Sequence, residues 1–223
     1  MSVAAAASQF VGVDFYQIDT LLTEEERAVR DTVRTWVDDN LIPIIGDAYV
    51  AGKFPKQIIP GLAELGVLGA NLPEEFGCAG LGNVAYGLIM QELERGDSGI
   101  RSFASVQGGL VMYPIFAFGS EEQKKRWLPR LAKGEEIGCF GLTEPDFGSN
   151  PSGMITTAKE TKDGWVLNGT KMWITNGSQA TVSIIWAKTG AIDDPKSIRG
   201  FIVPTSTKGF TGKDQKGKLS LRD

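Results

Sequence analysis

The stretch TTAKETKDGWVLNGTKMWITNGSQATVSIIWAK, residues 156–188, is where the period of the chain changes. Short β-branched and aromatic runs are separated by Asp163-Gly164, Asn168-Gly169 and Asn176-Gly177, dipeptides that suit tight hairpin turns. FIVPT at 201–205 and KLSL at 218–221 extend the series as further strands. Upstream the spacing is helical. Helices followed by strands predict an α+β chain rather than a doubly wound sheet, with an all-α domain over residues 1–135 and a β-domain over residues 136–223.

In the helical part, Thr23 stands three residues before Glu26, a capping box. Val29, Val33, Trp36, Val37 and Leu41 follow at helical spacing, with Pro43 as terminator. FPKQIIPGLAELGVLG, residues 54–69, reads as a second helix with Pro60 in its first turn and Gly66 at its C-cap. Asn83 is placed to cap a third, whose Val84, Leu88 and Leu93 share a face. A helix over 97–119 breaks near Pro114, and Ser120 with Gln123 opens a short one ending at Gly134. No strand leads through G-x-G-x-x-G into a helix, and no P-loop or internal repeat occurs.

The 223 residues, 42% hydrophobic, suffice for one large domain or two modest ones. A net charge of −4 predicts no nucleic-acid partner. The one basic run, Lys124-Lys125-Arg126, follows two glutamates and reads as a solvated helix face. Cys78 and Cys139 are too few for a disulfide framework, which predicts a reducing, cytoplasmic setting, and no Cys/His spacing suits a metal. The N-terminus lacks the charged start of an export signal and the arginines of a transit peptide. The longest apolar run, around Gly108 to Gly119, falls short of the roughly 20 residues a spanning helix needs, so no membrane insertion is expected. The last letters, KDQKGKLSLRD, stop directly after a strand-like run, which predicts an unfinished sheet edge and an incomplete β-domain.

There is no histidine. That removes Ser-His-Asp and Cys-His catalysis and leaves carboxylates, hydroxyls, backbone groups or a cofactor to carry any chemistry. The loop CFGLTEPDFGSNPSGM, residues 139–154, has two readings. As paired carboxylates, Glu144 and Asp146 would suit glycosidase-type work, but acids two apart around a proline more often build a turn. As a cradle, the loop has glycines that let backbone approach a ligand, and Thr143 and Ser149 offer hydroxyls that donate and accept; plain turns share this composition. In MWITNG, residues 172–177, a strand would put Trp173 and Thr175 on one face, as a ring surface with a hydroxyl beside it or as an ordinary cross-strand pair.

LTEPDFGS (142–149) followed by NGTKMWITNG (168–177) resembles the flavin-dependent acyl-CoA dehydrogenases, at that family's spacing, and the resemblance runs from about Leu22 to Leu221. It implies FAD as cofactor and an antiparallel, β-barrel-like middle domain, here incomplete. It also implies that Phe140, Gly141, Leu142, Thr143, Gly148, Ser149, Trp173, Ile174 and Thr175 border the flavin ring. Leu142 and Thr143 would hydrogen-bond the pyrimidine end, Trp173 would pack along the ring and Thr175 would contact N5. Donors at those positions stabilise the negative charge a flavin acquires with a hydride. Ser149 also matches the position that touches the acyl-CoA chain.

IRSFASVQGGLVMYPIFAFGSEEQK and KGEEIGCFGLTEP are similar to the glutaryl-CoA dehydrogenase branch. There Arg101 matches the arginine that pairs with the substrate's distal carboxylate, assisted by Glu94, Ser102 and Ser105. Independently, Asp97 or Ser98 would cap this helix, and an arginine in a first turn meets the positive end of the macrodipole. A disfavoured charge points to a task such as carboxylate binding, against the plain reading of a solvated surface arginine. Asn150 and Phe147 depart from the family pattern, which expects an aspartate and a small residue there.

The family's third, helical region, with the catalytic base, is not among these residues, so no catalytic residue is assigned. The resemblance further implies oxidation of an acyl-CoA with hydride transfer to N5 and decarboxylation to crotonyl-CoA in part of the branch. It also implies an electron-transfer flavoprotein as reoxidant and a homotetramer. The competing readings are a non-catalytic acyl-CoA- or flavin-binding remnant and a dehydrogenase of another short-chain acyl-CoA.

Overall fold

The computed structural model describes residues 15–221. Helix α1 (Glu24–Trp36) opens on its capping box: Thr23 Oγ1 accepts from the Glu26 N–H at 3.2 Å, and the Glu26 carboxylate accepts from the Thr23 N–H at 2.8 Å. Pro43 does not end the helix. A π-helical segment, Val37–Leu41, leads directly into α2 (Ile42–Ala51), and its wider turn accommodates a residue that has no N–H to donate. Helices α3 (Ile59–Glu64) and α4 (Asn83–Gly96) follow. Gly82, not Asn83, is the N-cap of α4; the Asn83 side chain accepts instead from Asn71 Nδ2 at 3.3 Å.

The device seen at Pro43 recurs at Pro114. Helix α5 (Ser98–Ser105) continues through a second π-helical segment, Val106–Met112, into α6 (Tyr113–Phe118), so the expected break is absent. Asp97 caps α5 by accepting from the N–H groups of Gly99 and Ile100. Helix α7 (Glu121–Ala132) starts on the second capping box, Ser120 with Gln123.

The strands are β1 (Gly138–Gly141), β2 (Thr157–Thr161), β3 (Gly164–Asn168), β4 (Val182–Lys188) and β5 (Ile198–Pro204). They form one mixed sheet rather than an antiparallel barrel. β4 lies parallel to β1 and touches β2 in parallel at Lys188, while β5 pairs antiparallel along the whole of β4. Parallel pairing follows from the connection, because the chain makes a long excursion between β1 and β4 that no tight turn could replace. Among the described residues β3 pairs only β2 and β5 pairs only β4, so the sheet stays open.

Of the three glycine dipeptides, only Asp163-Gly164 marks a hairpin, between β2 and β3. KLSL forms no strand. MWITNG forms none either: Trp173 (φ 61°) and Asn176 (φ 66°) are left-handed, a conformation that ends a strand.

Two apolar clusters hold the chain together. In the first, Val33, Val37 and Leu41 pack against Leu62, Leu93 and Phe103. In the second, Val111, Met112, Ile115 and Leu131 pack against Val182 and Ile184 of β4, which joins the sheet to the helices.

One carboxylate lies beside the first cluster. Glu92 is fully buried between α1 and α4 and accepts from Arg34 and from Arg95, each as close as 2.8 Å. Burial pushes its carboxyl upward, but the two guanidinium groups outweigh this and hold it below the ordinary range. Glu92→Ala should therefore cost about 1.5–3 kcal/mol of unfolding free energy in urea titrations, since two part-exposed guanidinium groups lose their shared buried acceptor and Arg95 keeps only the carboxylate of Asp38. A loss under about 1 kcal/mol would show that the pair is not a structural tie.

Candidate functional site

Two loops meet beside β1. The first runs from Leu142 to Ile155 and the second from Gly169 to Thr181. Glu144, 2% exposed, joins them. Its carboxylate accepts from Lys171 Nζ at 2.8 Å, from the Ile155 N–H at 2.7 Å, from the Thr156 N–H at 3.0 Å and from the Thr156 hydroxyl. Lys171 also donates to the Leu142 carbonyl at 3.0 Å, and the Met172 N–H donates to the Thr143 carbonyl at 2.9 Å.

Burial raises the Glu144 carboxyl, yet Lys171, Thr156 and the two backbone N–H groups overcome it and bring it down to about 2. Burial pulls the Lys171 ammonium down, and its pairing with Glu144 offsets only part of that. Glu144 is thus a permanently ionised anchor, with no proton to give near neutral pH. Asp146 is exposed, so the two acids form no catalytic pair.

The glycines divide by role. A Cβ on Gly153 would meet the Phe147 ring at 2.5 Å, so the unexpected phenylalanine packs against a glycine of its own loop. A Cβ on Gly141 would meet Ile185 at 2.7 Å, which makes that glycine a packing requirement. A Cβ on Gly148 would meet only Thr143 Cγ2, at 4.0 Å, and neither Thr143 nor Ser149 hydrogen-bonds through its hydroxyl to any described residue. The Phe140 ring turns inward onto Trp186, centroids 5.9 Å apart, so only its backbone faces the loop.

In the second loop Trp173 is 63% exposed, while Ile174 and Thr175 are half-buried. Gly141, Lys171, Trp173, Ile174 and Thr175 line an open cleft of about 1680 Å³ that Phe201 and Val203 of β5 also border. Leu142, Thr143, Ser149 and Arg101 lie off its wall.

On the helical side, Arg101 Nε donates to Glu94 Oε2 at 2.6 Å and Nη1 donates to Ser105 Oγ at 3.4 Å. Ser105 Oγ in turn donates to the Ser102 carbonyl, and the Ser102 and Thr175 hydroxyls lie 3.2 Å apart. The structure therefore brings Glu94, Arg101, Ser102 and Ser105 together and ties them to the Trp173–Thr175 turn. Tyr86, unmarked in the sequence, is half-buried near this group: burial pushes its phenol up and the Arg101 charge pulls it back. Among the described residues no cluster could hold a metal ion, and no helix is long and apolar enough to cross a membrane.

Residues 23–135 match the family described as acyl-CoA dehydrogenase, N-terminal domain, and residues 139–223 match its middle domain. The chain belongs to the acyl-CoA dehydrogenase family. It is 38% identical over 201 residues to the short-chain specific acyl-CoA dehydrogenase, mitochondrial, of Rattus norvegicus, covering 90% of this chain and 49% of that one. A crystal structure of glutaryl-CoA dehydrogenase from Mycobacterium smegmatis shares 55% identity at a TM-score of 0.87, over 92% of this chain and 52% of that one. A second, in complex with FADH2, shares 53% at 0.88, over 93% and 52%. The chain thus spans about half the length of the acyl-CoA dehydrogenases it matches. The cytoplasmic expectation falls here: the rat and human relatives are mitochondrial by name, and two unpaired thiols do not single out one reducing compartment.

The Glu144 anchor gives this family member a definite acid response. A carboxyl held near 2 when folded, against about 4.5 when unfolded, contributes stability that is complete above the higher value and lost as pH falls through the lower. Wild-type protein should lose about 3 kcal/mol by this route between pH 4.5 and 2. In Glu144→Gln that component should vanish from the pH dependence of urea unfolding; an unchanged slope would contradict the assignment.

Proposed function

We propose that this chain is the N-terminal and middle part of an FAD-dependent glutaryl-CoA dehydrogenase, divided near residue 135 between the two family matches. The observation that carries the reading is the grouping of Glu94, Arg101, Ser102 and Ser105, linked through one hydroxyl pair to the turn at Thr175. Its likeness to two glutaryl-CoA dehydrogenase structures supports the same reading, and one of those holds FADH2.

The donor set fits a flavin. The backbone of Leu142 and Thr143, the uncommitted hydroxyls of Thr143 and Ser149, the open side of Gly148, the exposed Trp173 ring and the Thr175 hydroxyl would hold FAD. When bound, FAD supplies the acceptor for a substrate hydride. Every other task here belongs to the chain. Glu94 fixes the Arg101 fork through Nε, and Nη2 has no hydrogen bond among the described residues, so it can donate to a substrate carboxylate. Ser102 and Ser105 offer hydroxyls beside it. Ser149, exposed on its loop, contacts the acyl-CoA chain.

The base that takes the α proton is assigned to the part of the protein outside these residues. An electron-transfer flavoprotein is the proposed reoxidant and a homotetramer the proposed assembly; where the oxidised substrate also loses CO2, the product is crotonyl-CoA.

The test uses the full-length flavoprotein. Arg101→Met should lower kcat/KM for glutaryl-CoA about a hundredfold and change that for pentanoyl-CoA less than about threefold, because only one substrate has a distal carboxylate to lose. Equal losses on both would remove the carboxylate role, and wild-type protein without a flavin absorption band after added FAD would remove the dehydrogenase reading.

A further inference from the structure

Gly138, the first residue of β1, has both backbone groups held by side-chain amides. Its N–H donates to Gln107 Oε1 at 2.8 Å, and its carbonyl accepts from Asn176 Nδ2 at 3.1 Å. The two amides come from opposite partners: Gln107 from the π-helical segment after α5, Asn176 from the turn after Thr175.

Each amide is itself fixed. Gln107 is fully buried, and its Nε2 donates to the carbonyls of Leu131 at 2.9 Å and Glu136 at 2.8 Å, where α7 ends and the chain crosses to β1. Asn176 is 2% exposed, and Gln179 Nε2 donates to its Oδ1 at 3.4 Å, which turns its Nδ2 toward Gly138. Asparagine is one of the few side-chain-bearing residues that readily adopt a left-handed backbone such as that of Asn176, and here its buried amide also reaches across to β1. The fit against the helix is close as well: a Cβ on Gly138 would lie 2.5 Å from Val111 Cγ1 in the same π-helical segment.

We propose that Gln107 and Asn176 act as one positioning unit for the flavin site. They clamp the start of β1 between helix and turn, so that Leu142 and Thr143, just past the end of β1, and Thr175, next to Asn176, are presented at a fixed separation. The Ser102–Thr175 hydroxyl pair ties the turn directly to the helix that carries Gln107, five residues before it. The assignment rests on the flavin reading above.

The test compares wild-type full-length protein with Asn176→Gly, Gln107→Glu and the double variant. Glycine keeps the left-handed backbone and removes the amide. Glutamate keeps the acceptor for Gly138 but cannot donate to Leu131 and Glu136. Each single variant should weaken FAD binding about tenfold and shift the visible circular dichroism of the bound flavin, and the double should also lose about tenfold rather than a hundredfold. Gln179→Ala, which only releases the Asn176 amide, should move the same dichroism band in the same direction by less, and it serves if a stronger variant does not fold.

A lowered melting temperature with unchanged FAD affinity and unchanged dichroism would overturn the proposal. So would fully additive losses. Wild-type protein that binds no FAD would overturn the dehydrogenase reading, and with it any positioning of flavin.

Discussion

The Glu144–Lys171 ion pair is the constraint on which the site depends. The first loop has one short 3-10 turn, Pro151–Gly153, and the second no helix or strand, so the pair acts with the Met172 N–H to Thr143 carbonyl bond to set the distance between Thr143 and Trp173. Glu144 collects two backbone N–H groups, a hydroxyl and an ammonium, so little of its capacity to accept is left unused. A carboxylate removed from water to this extent is tolerable only with such full compensation. The residue that could have been half of a catalytic acid pair instead ties two loops together.

A second constraint sets where the cradle sits. Helices α1 and α5 each run past a proline through a π-helical segment, and the second of these segments carries Gln107 and Val111 against β1. A break at Pro114 would release the helix that bears Arg101 from the helix that supports the sheet. Continuity lets one rigid element present the arginine group at its start and hold β1 further along, so the two halves of the site share a frame. The apolar contact of Val111, Met112 and Ile115 with Val182 and Ile184 closes the same joint from the other side.

Much of this was legible in the sequence where the physics is local. Both capping boxes stand as read, and of the two candidates Asp97 and Ser98 it is Asp97 that caps α5; all involve side chains within three residues of their partners. The LTEPDFGS and MWITNG motifs pointed to the family, and the structure gathers the Arg101 group as a set. Besides the Asn83 cap and the breaks expected at Pro43 and Pro114, what failed was non-local. MWITNG has the alternation of a strand, but Met172 donates to Thr143 and Asn176 to Gly138, and these ties hold a left-handed turn that alternation cannot signal. The parallel pairing of β1 with β4 depends on the path of some forty residues between them, so hairpin dipeptides had no bearing on it. Lys171 and Gln107 gave only faint signals, a cation inside an apolar-aromatic run and an amide on a buried helix face. Their partners lie more than twenty residues away.

The central claim is that Glu144 and Lys171 act as a pair rather than as two independently placed charges. A double-mutant cycle with Glu144→Gln, Lys171→Met and both together, followed by urea unfolding at pH 7, measures that directly. The account predicts a coupling free energy of about 3 kcal/mol, with the double variant more stable than the sum of the single losses implies. Additive losses, with coupling under about 0.5 kcal/mol, would contradict it.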